Sequence, residues 1–252
     1  MDTKIRTLGI RVQPTKESIE TLFKNCFNEL PEKLWPEYIS ASGDDVGEPI
    51  PPGDPSPIIR YWEDHSTIPF VGRSSEPSYL LYFGFEFQED TKPEPTQLEM
   101  KLHENPASDF AEAVFEFLIR ATCAQFGSLS SEEDYQNRHW FSVEIPEEYS
   151  IVETKRGLSL DETIPGVYFK TFFSSEIVEE YDLELDDIRP IAYEVREFSH
   201  GYFVTSYEDD ELLSRGEARN IERRIETGMN DGAFFHPEEV SEEQLRKETR
   251  IT

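Results

Sequence analysis

Residues 78–88 read SYLLYFGFEFQ. Leu81, Phe83, Phe85 and Phe87 alternate onto one side, with Leu80, Tyr82 and Glu86 on the other, which is the two-residue period of a β-strand. Four large apolar groups on one face have to pack against helices or a second sheet. Gly84 interrupts the run and marks a bulge or the close approach of a neighbouring backbone.

Toward the N-terminus, Lys4–Val12 reads as a short strand carrying Ile5, Leu8, Ile10 and Val12. Thr15 then caps a helix whose apolar positions are Ile19, Leu22, Phe23, Cys26, Phe27 and Leu30, one face at the 3.6-residue period. Pro31 stops it. Residues 36–57 hold the run GDDVGEPIPPGDPSP and read as an irregular loop. A loop of that length exceeds a plain connection, so it wraps the domain or carries a contact surface.

Toward the C-terminus, a polar, proline-containing link leads to a helix opened by Asn105 and Pro106. Its core face is Phe110, Ala113, Val114, Phe117, Leu118 and Ala121; Phe115 and Ile119 widen that face and predict a helix covered on two sides. Residues 125–131 read as a turn. Trp140–Ile145 and Gly166–Phe173 read as strands, and Ser174 or Ser175 caps a short helix over Glu176–Tyr181. Ala192–Phe198 and Tyr202–Tyr207 flank Ser199-His200-Gly201 as a β-hairpin. Ser214 and Glu217 have capping-box spacing for a helix that turns Ala218, Ile221 and Ile225 inward and closes at Gly228. Beyond Glu238 the charged tail reads as a frayed or solvated helix.

The expected fold is α+β, with mainly antiparallel sheet packed against a few long amphipathic helices. Residues 1–252 form one domain on this reading, with subdomains at about 1–126 and 127–252 as an option. No tandem repeat registers between the halves.

The chain of 252 residues carries 53 acidic and 24 basic side chains, a formal charge of −29. That sign argues against direct nucleic-acid binding, which needs an excess of Lys and Arg on some face. It argues equally against docking on anionic lipid. Aromatics make up 13% of the chain, too many for an acidic disordered polymer. No stretch approaches a membrane span and no leader is evident, so the expected location is cytoplasmic. The acids are spread along the chain, as general salt adaptation of a surface would also spread them.

Catalytic signatures do not emerge. GxSxG, GxGxxG and GxxxxGK[ST] are absent, Cys26 and Cys123 have no metal or redox spacing, and neither HExxH nor HxH occurs. His65, His103, His139, His200 and His236 are scattered, and His200 fits a hairpin turn. Adjacent acids such as Glu147-Glu148 and Asp186-Asp187 lack the unlike environments that separate two carboxyl pKa values. The expectation is therefore no catalytic residue, no cofactor and no metal. Aromatic residues beside acids, Trp35, Tyr38, Tyr61 and Trp62 together with Asp44, Asp45, Glu208 and Asp209, are the candidate partner-binding residues, because aromatic anchors within a polar rim suit a protein interface.

Three stretches, IPGVYFKTFFSSEIVEEYDLELDDI (164–188), AYEVREFSHGYFVTSYEDDE (192–211) and GMNDGAFFHPEE (228–239), carry a resemblance. They resemble the immunity protein 52 family and its type VI secretion immunity relatives, encoded beside bacterial polymorphic toxins. The landmarks are Pro165, Gly166, Tyr168, Phe172, Tyr193, Gly201, Tyr207, Glu208, Asp209, Gly232, Phe234 and Phe235. Tyr168-Phe169 stand where such proteins often carry Trp, and Ser174-Ser175 where they often have Gly-Pro. The resemblance implies a non-enzymatic cytosolic protein that binds and blocks a toxin-like, basic partner. Two other functions fit the acidity: a mimic of nucleic-acid charge that occupies a nucleic-acid-binding protein, and a hydrolase built from loop carboxylates and a histidine.

Overall fold

The computed structural model describes residues 4–12, 16–41, 47–65, 70–86, 94–104, 110–145, 150–155, 163–208 and 213–236. The chain runs β1 (Lys4–Arg11), α1 (Lys16–Glu29), β2 (Tyr38–Ser40), β3 (Glu48–Pro49), α2 (Ser56–His65), β4 (Phe70–Arg73) and β5 (Ser78–Glu86). It continues with β6 (Glu94–Glu104), α3 (Phe110–Thr122), β7 (Phe126–Ser131), α4 (Glu132–His139), β8 (Trp140–Ile145), β9 (Ser150–Lys155) and β10 (Lys170–Ser174). The last elements are α5 (Ser175–Glu180), α6 (Leu185–Ile188), β11 (Glu194–Phe198), β12 (Gly201–Thr205) and α7 (Arg215–Asn230). This is the α+β arrangement expected, with one 10-stranded sheet in the order β11-β12-β10-β7-β1-β6-β5-β4-β2-β3 and a separate β8-β9 pair. Every pairing between named strands is antiparallel.

Register divides the sheet into two chemically different faces. Leu8 lies opposite Met100 and Leu129, and Ile10 opposite Leu98. These side chains, with Leu102, Phe172 and Phe203, meet Leu22, Phe23, Cys26 and Phe27 of α1 and Val114, Phe115 and Leu118 of α3 in the larger core. Each such large side chain removed from water stabilises the fold by roughly 1.5–3 kcal/mol. On the opposite face, Phe126, Phe173 and Val204 form a second core with Ile177 of α5, Ile188 of α6 and Ile225 and Met229 of α7. Between those covered regions the second face is polar: Thr7 aligns with Lys101 and Ser130, and Gly9 with Glu99 and Ser128.

The structure changes several sequence-based expectations. Residues 126–131 are not a turn but the strand β7, flanked by β1 and β10. Gly127 and three serines have low strand propensity, and tertiary packing overrides it. A Cβ on Gly127 would lie 2.5 Å from Ile119 Cδ1 and 3.0 Å from Phe115, so glycine lets the broad apolar face of α3 sit directly on the strand. The polar link after residue 88 contains β6, where buried Leu98, Met100 and Leu102 alternate with Gln97, Glu99 and Lys101. The loop at 36–57 holds β2, β3 and the opening of α2. Strand β10 starts at Lys170 rather than Gly166, and α7 continues past Gly228 to Asn230.

Other local readings agree. The β5–β6 register shifts between Gly84 and Phe85, where the glycine suggested a bulge. Ser174 caps α5 by accepting from Ile177 N, and Ser214 and Glu217 complete a capping box at the start of α7. Asn105 and the tail after Glu238 lie outside the described residues.

Candidate partner-binding surface

At the β2–β3 margin of the sheet, α1 ends and the chain makes a short 3-10 turn over Glu32–Leu34 before entering β2. Leu34 is buried, and its carbonyl accepts a hydrogen bond from Tyr79 OH at 2.9 Å, which fixes the turn against the sheet. The result is a surface cleft of about 820 Å³ walled by Pro31, Trp35, Pro36, Ile50 and Pro52, with Glu32, Lys33, Glu37 and Arg73 around it. Trp35 is held rigidly: its Nε1 donates to Leu30 O at 3.0 Å, and its ring meets Phe27 edge-on at 5.5 Å. Proline walls and a fixed indole lose little conformational entropy when they make a contact.

Charge in the cleft is locally balanced. Arg73 Nη1 lies 2.8 Å from Glu37 Oε1 and donates to Trp35 O at 3.1 Å. Burial opposes ionisation of Glu37. Hydrogen bonds from Ser75 and Ser74 and the charge of Arg73 outweigh it and hold the carboxyl below the usual carboxylate range. Lys33 sits over the Phe110 ring at 3.9 Å, a cation–π contact rather than a free charge.

Of the candidate residues from the sequence, Trp35 lines this cleft and half-buried Tyr38 begins β2 beside it. Tyr61 lies on α2, half-buried against the larger core, and Trp62 follows it in the same helix. Glu208 is exposed just beyond β12, toward the far margin of the sheet. Strand spacing puts β12 and β2 roughly 34 Å apart. The structure therefore gathers Trp35 and Tyr38 and separates them from Glu208. Asp44, Asp45 and Asp209 lie outside the described residues.

A second group of charged residues is internal. Arg138 of α4 is buried and donates through Nη2 to Glu222 Oε2, through Nε to Asp134 Oδ1 at 3.1 Å and through Nη1 to Val167 O at 2.5 Å. Glu226, fully buried, accepts from Val167 N at 2.8 Å and Arg219 Nη1 at 2.9 Å. Tyr207 OH donates to Glu222 Oε1 at 3.1 Å. The network clamps the Pro165-Gly166-Val167 segment between α4 and α7. Burial raises the Glu222 carboxyl to about 7, against the pull of Arg138. Glu222 and Glu226 share the inward face of α7 with Ile225 and Met229, and acids at those helical positions were the available sequence clue.

His200, His236 and Cys26 have structural surroundings. His200 Nε2 is 2.7 Å from Ala124 O in the β11–β12 turn, and its ring packs on Phe172 at 5.1 Å. Buried His236 lies 3.6 Å from both Glu226 and Asp231. Burial pushes the Cys26 thiol up to about 12, far from a reactive thiolate, and Cys123 is exposed. Among the described residues, no group of three or more His, Cys, Asp or Glu side chains is placed to hold a metal ion, and no helix is long and apolar enough to cross a membrane.

No family model matches the sequence, and comparison with curated proteins finds no match. Among solved structures, the Pseudomonas aeruginosa T6SS protein PA0821 superposes with a TM-score of 0.51 at 10% sequence identity. The match covers 98% of this chain and 81% of that one. The likeness is one of fold.

Proposed function

We propose that this chain is a non-enzymatic, immunity-like protein that binds and blocks a basic, toxin-like partner protein. The observation that carries the reading is how the two signs of charge are distributed. Arg6, Arg11, Arg138 and Lys170 are buried. Lys170 is held by Glu112 at 2.7 Å and Glu116 at 3.0 Å, and Arg73, Arg120 and Arg196 each hold a carboxylate within 3 Å. Many cations are thus engaged inside the fold or in pairs, while the formal charge stays at −29. The field outside the molecule is negative, which accelerates encounter with a basic protein and repels nucleic acid and anionic lipid.

Two further observations support it. The fold is shared with a protein described as a T6SS protein, which is compatible with a secretion-related role. The rigid Trp35 cleft supplies an aromatic anchor inside a polar rim, the pattern from which interface hot spots are built.

The test is co-expression with the product of the gene beside this one, where that product is basic, followed by gel filtration of the mixture and growth of cells expressing that protein with and without this chain. The expected result is a stable complex that weakens as salt rises, together with restored growth. Two separate peaks at low salt, with no protection of growth, would remove the proposal.

A further inference from the structure

The two margins of the sheet are finished differently. At one end β3 is two residues, Glu48–Pro49, followed by Pro51 and Pro52, and proline has no N–H to offer a further strand. At the other end β11 is five residues, Glu194–Phe198, and among the described residues it pairs only with β12. Arg189 Nη1 donates to Val195 O at 3.2 Å, so the Val195 carbonyl points off the ladder and away from β12. Alternation in an antiparallel pair turns the Glu197 N–H and C=O the same way, while Glu194, Arg196 and Phe198 bond to Thr205, Phe203 and Gly201. The strand has no proline and no bulge in its register.

Its surroundings select the occupant. Tyr193, immediately before the strand, is 60% exposed, against 37% for Ile5, the other exposed large hydrophobic side chain among the described residues. From Glu184 to Glu197 there are five acids, Glu184, Asp186, Asp187, Glu194 and Glu197, all exposed. The two arginines there are occupied: Arg189 Nε bonds Asp186 at 2.9 Å, and Arg196 bonds Glu116 at 2.6 Å while its guanidinium lies over Phe198 and Phe203. A neutral or acidic strand arriving here would bring its own side chains against that field; a basic one would be drawn in.

We infer that β11 is the docking edge for an extended segment of a basic partner protein, which adds to the sheet as a further strand. This rests on the reading of the chain as a binder of basic proteins. Main-chain N–H and C=O groups of the segment meet those of Val195 and Glu197, and its Lys or Arg side chains meet the acids beside the strand. Tyr193 packs on an apolar side chain at the segment's end. Arg189 releases the Val195 carbonyl and keeps its bond to Asp186, so the edge is covered until a partner strand competes for it.

Amide hydrogen exchange tests this with a short synthetic peptide of alternating lysine and valine, and with its glutamate–valine counterpart. The lysine peptide is expected to slow exchange across residues 194–198 by about tenfold or more, and the glutamate peptide to leave it unchanged. Glu197→Pro removes an outward N–H without touching the bonds to β12 and should abolish the effect; Tyr193→Ala should weaken it; Lys24→Ala, at an exposed position on α1, should not. No binding of the lysine peptide, or binding that protects residues 31–37 while 194–198 exchange freely, would overturn the inference even where E197P fails to fold. The two proposals fail separately. A complex with the neighbouring basic protein that leaves 194–198 unprotected removes the docking edge and keeps the function. Peptide protection without any such complex removes the function and keeps the edge.

Discussion

Arg138 donates to Glu222 at a point where both side chains are buried, and this pair ties α4 to α7 across the Pro165-Gly166-Val167 segment. Two opposite charges taken out of water stabilise a fold only as a pair, because each compensates the desolvation of the other. Arg138→Ala should therefore cost about 3–5 kcal/mol in urea unfolding, the penalty for stranding a buried carboxylate. Replacing both residues with methionine should recover most of that loss. A double variant as unstable as the single one would show that packing, not charge compensation, is what Arg138 supplies.

The Glu222 carboxyl gives the fold a pH dependence of defined sign. Burial lifts it from an ordinary 4.5 to about 7 in the folded chain. The folded state thus holds the proton more tightly than the unfolded state, so this contribution is full below about 4.5 and lost as pH rises through 7. Wild type should lose stability relative to Glu222→Gln across that window, at up to about 1.4 kcal/mol per pH unit. Thermal melts of the two proteins from pH 4.5 to 8 check it, and a constant difference between them would contradict the burial argument.

Gly166 has φ +140°, and a Cβ there would lie 3.1 Å from Arg138 Nη1 and 3.2 Å from Glu226 Oε1. Gly166→Ala should destabilise by roughly 1–3 kcal/mol through backbone strain together with displacement of the clamp. Combined with Arg138→Ala, the two losses should fall short of their sum, since both act on one network. Chemical denaturation of the double-mutant cycle measures the coupling.

Ser214 accepts from Glu217 N while the Glu217 side chain reaches back to Ser214 N at 3.0 Å. The Ser214 hydroxyl, which donates to Glu217 Oε2 at 2.6 Å, and the Ser214 backbone N–H hold the Glu217 carboxyl below its ordinary range. Ser214→Ala should cost about 1 kcal/mol. The cost should shrink as acid protonates Glu217, because a depressed carboxyl pKa stabilises the fold above its unfolded value and ceases to do so below its folded one. Circular dichroism melts at neutral and acid pH are sufficient.

Elements with one dominant periodicity were legible in the sequence as elements, among them α1, α3, β5 and the capped α7. Their faces were legible only in part: α7 buries Glu222 and Glu226 where Ala218 and Ile221 are expected inward, and α3 buries Ala111 and exposes Ala113. Elements whose form is decided by neighbours were not legible. Strand β7 owes its extended form to β1 and β10 on either side, since Gly127, Ser128 and Ser130 alone favour a turn. Strand β6 alternates correctly, but Glu99 is buried against Tyr82 and Tyr135, so its polar partners disguised a two-sided interior strand as a link. The candidate surface was half legible: Trp35 marks the cleft, whereas the rim contributed by Arg73 and Ile50 is assembled only when the sheet closes.

The placement of β1 has a temporal consequence. Its neighbours are β6 and β7, with Lys4 paired to Glu104 and Arg6 to Ser131, so no part of this strand finds a partner nearby in the chain. During synthesis this strand emerges with both flanks open; one can be filled only once residue 104 has been made and the other only once residue 131 has. Long-range pairing of this kind slows folding and leaves apolar strands available to other nascent chains. Cells producing this protein quickly should therefore rely on a holding chaperone at the ribosome, and slowing translation should raise the soluble fraction.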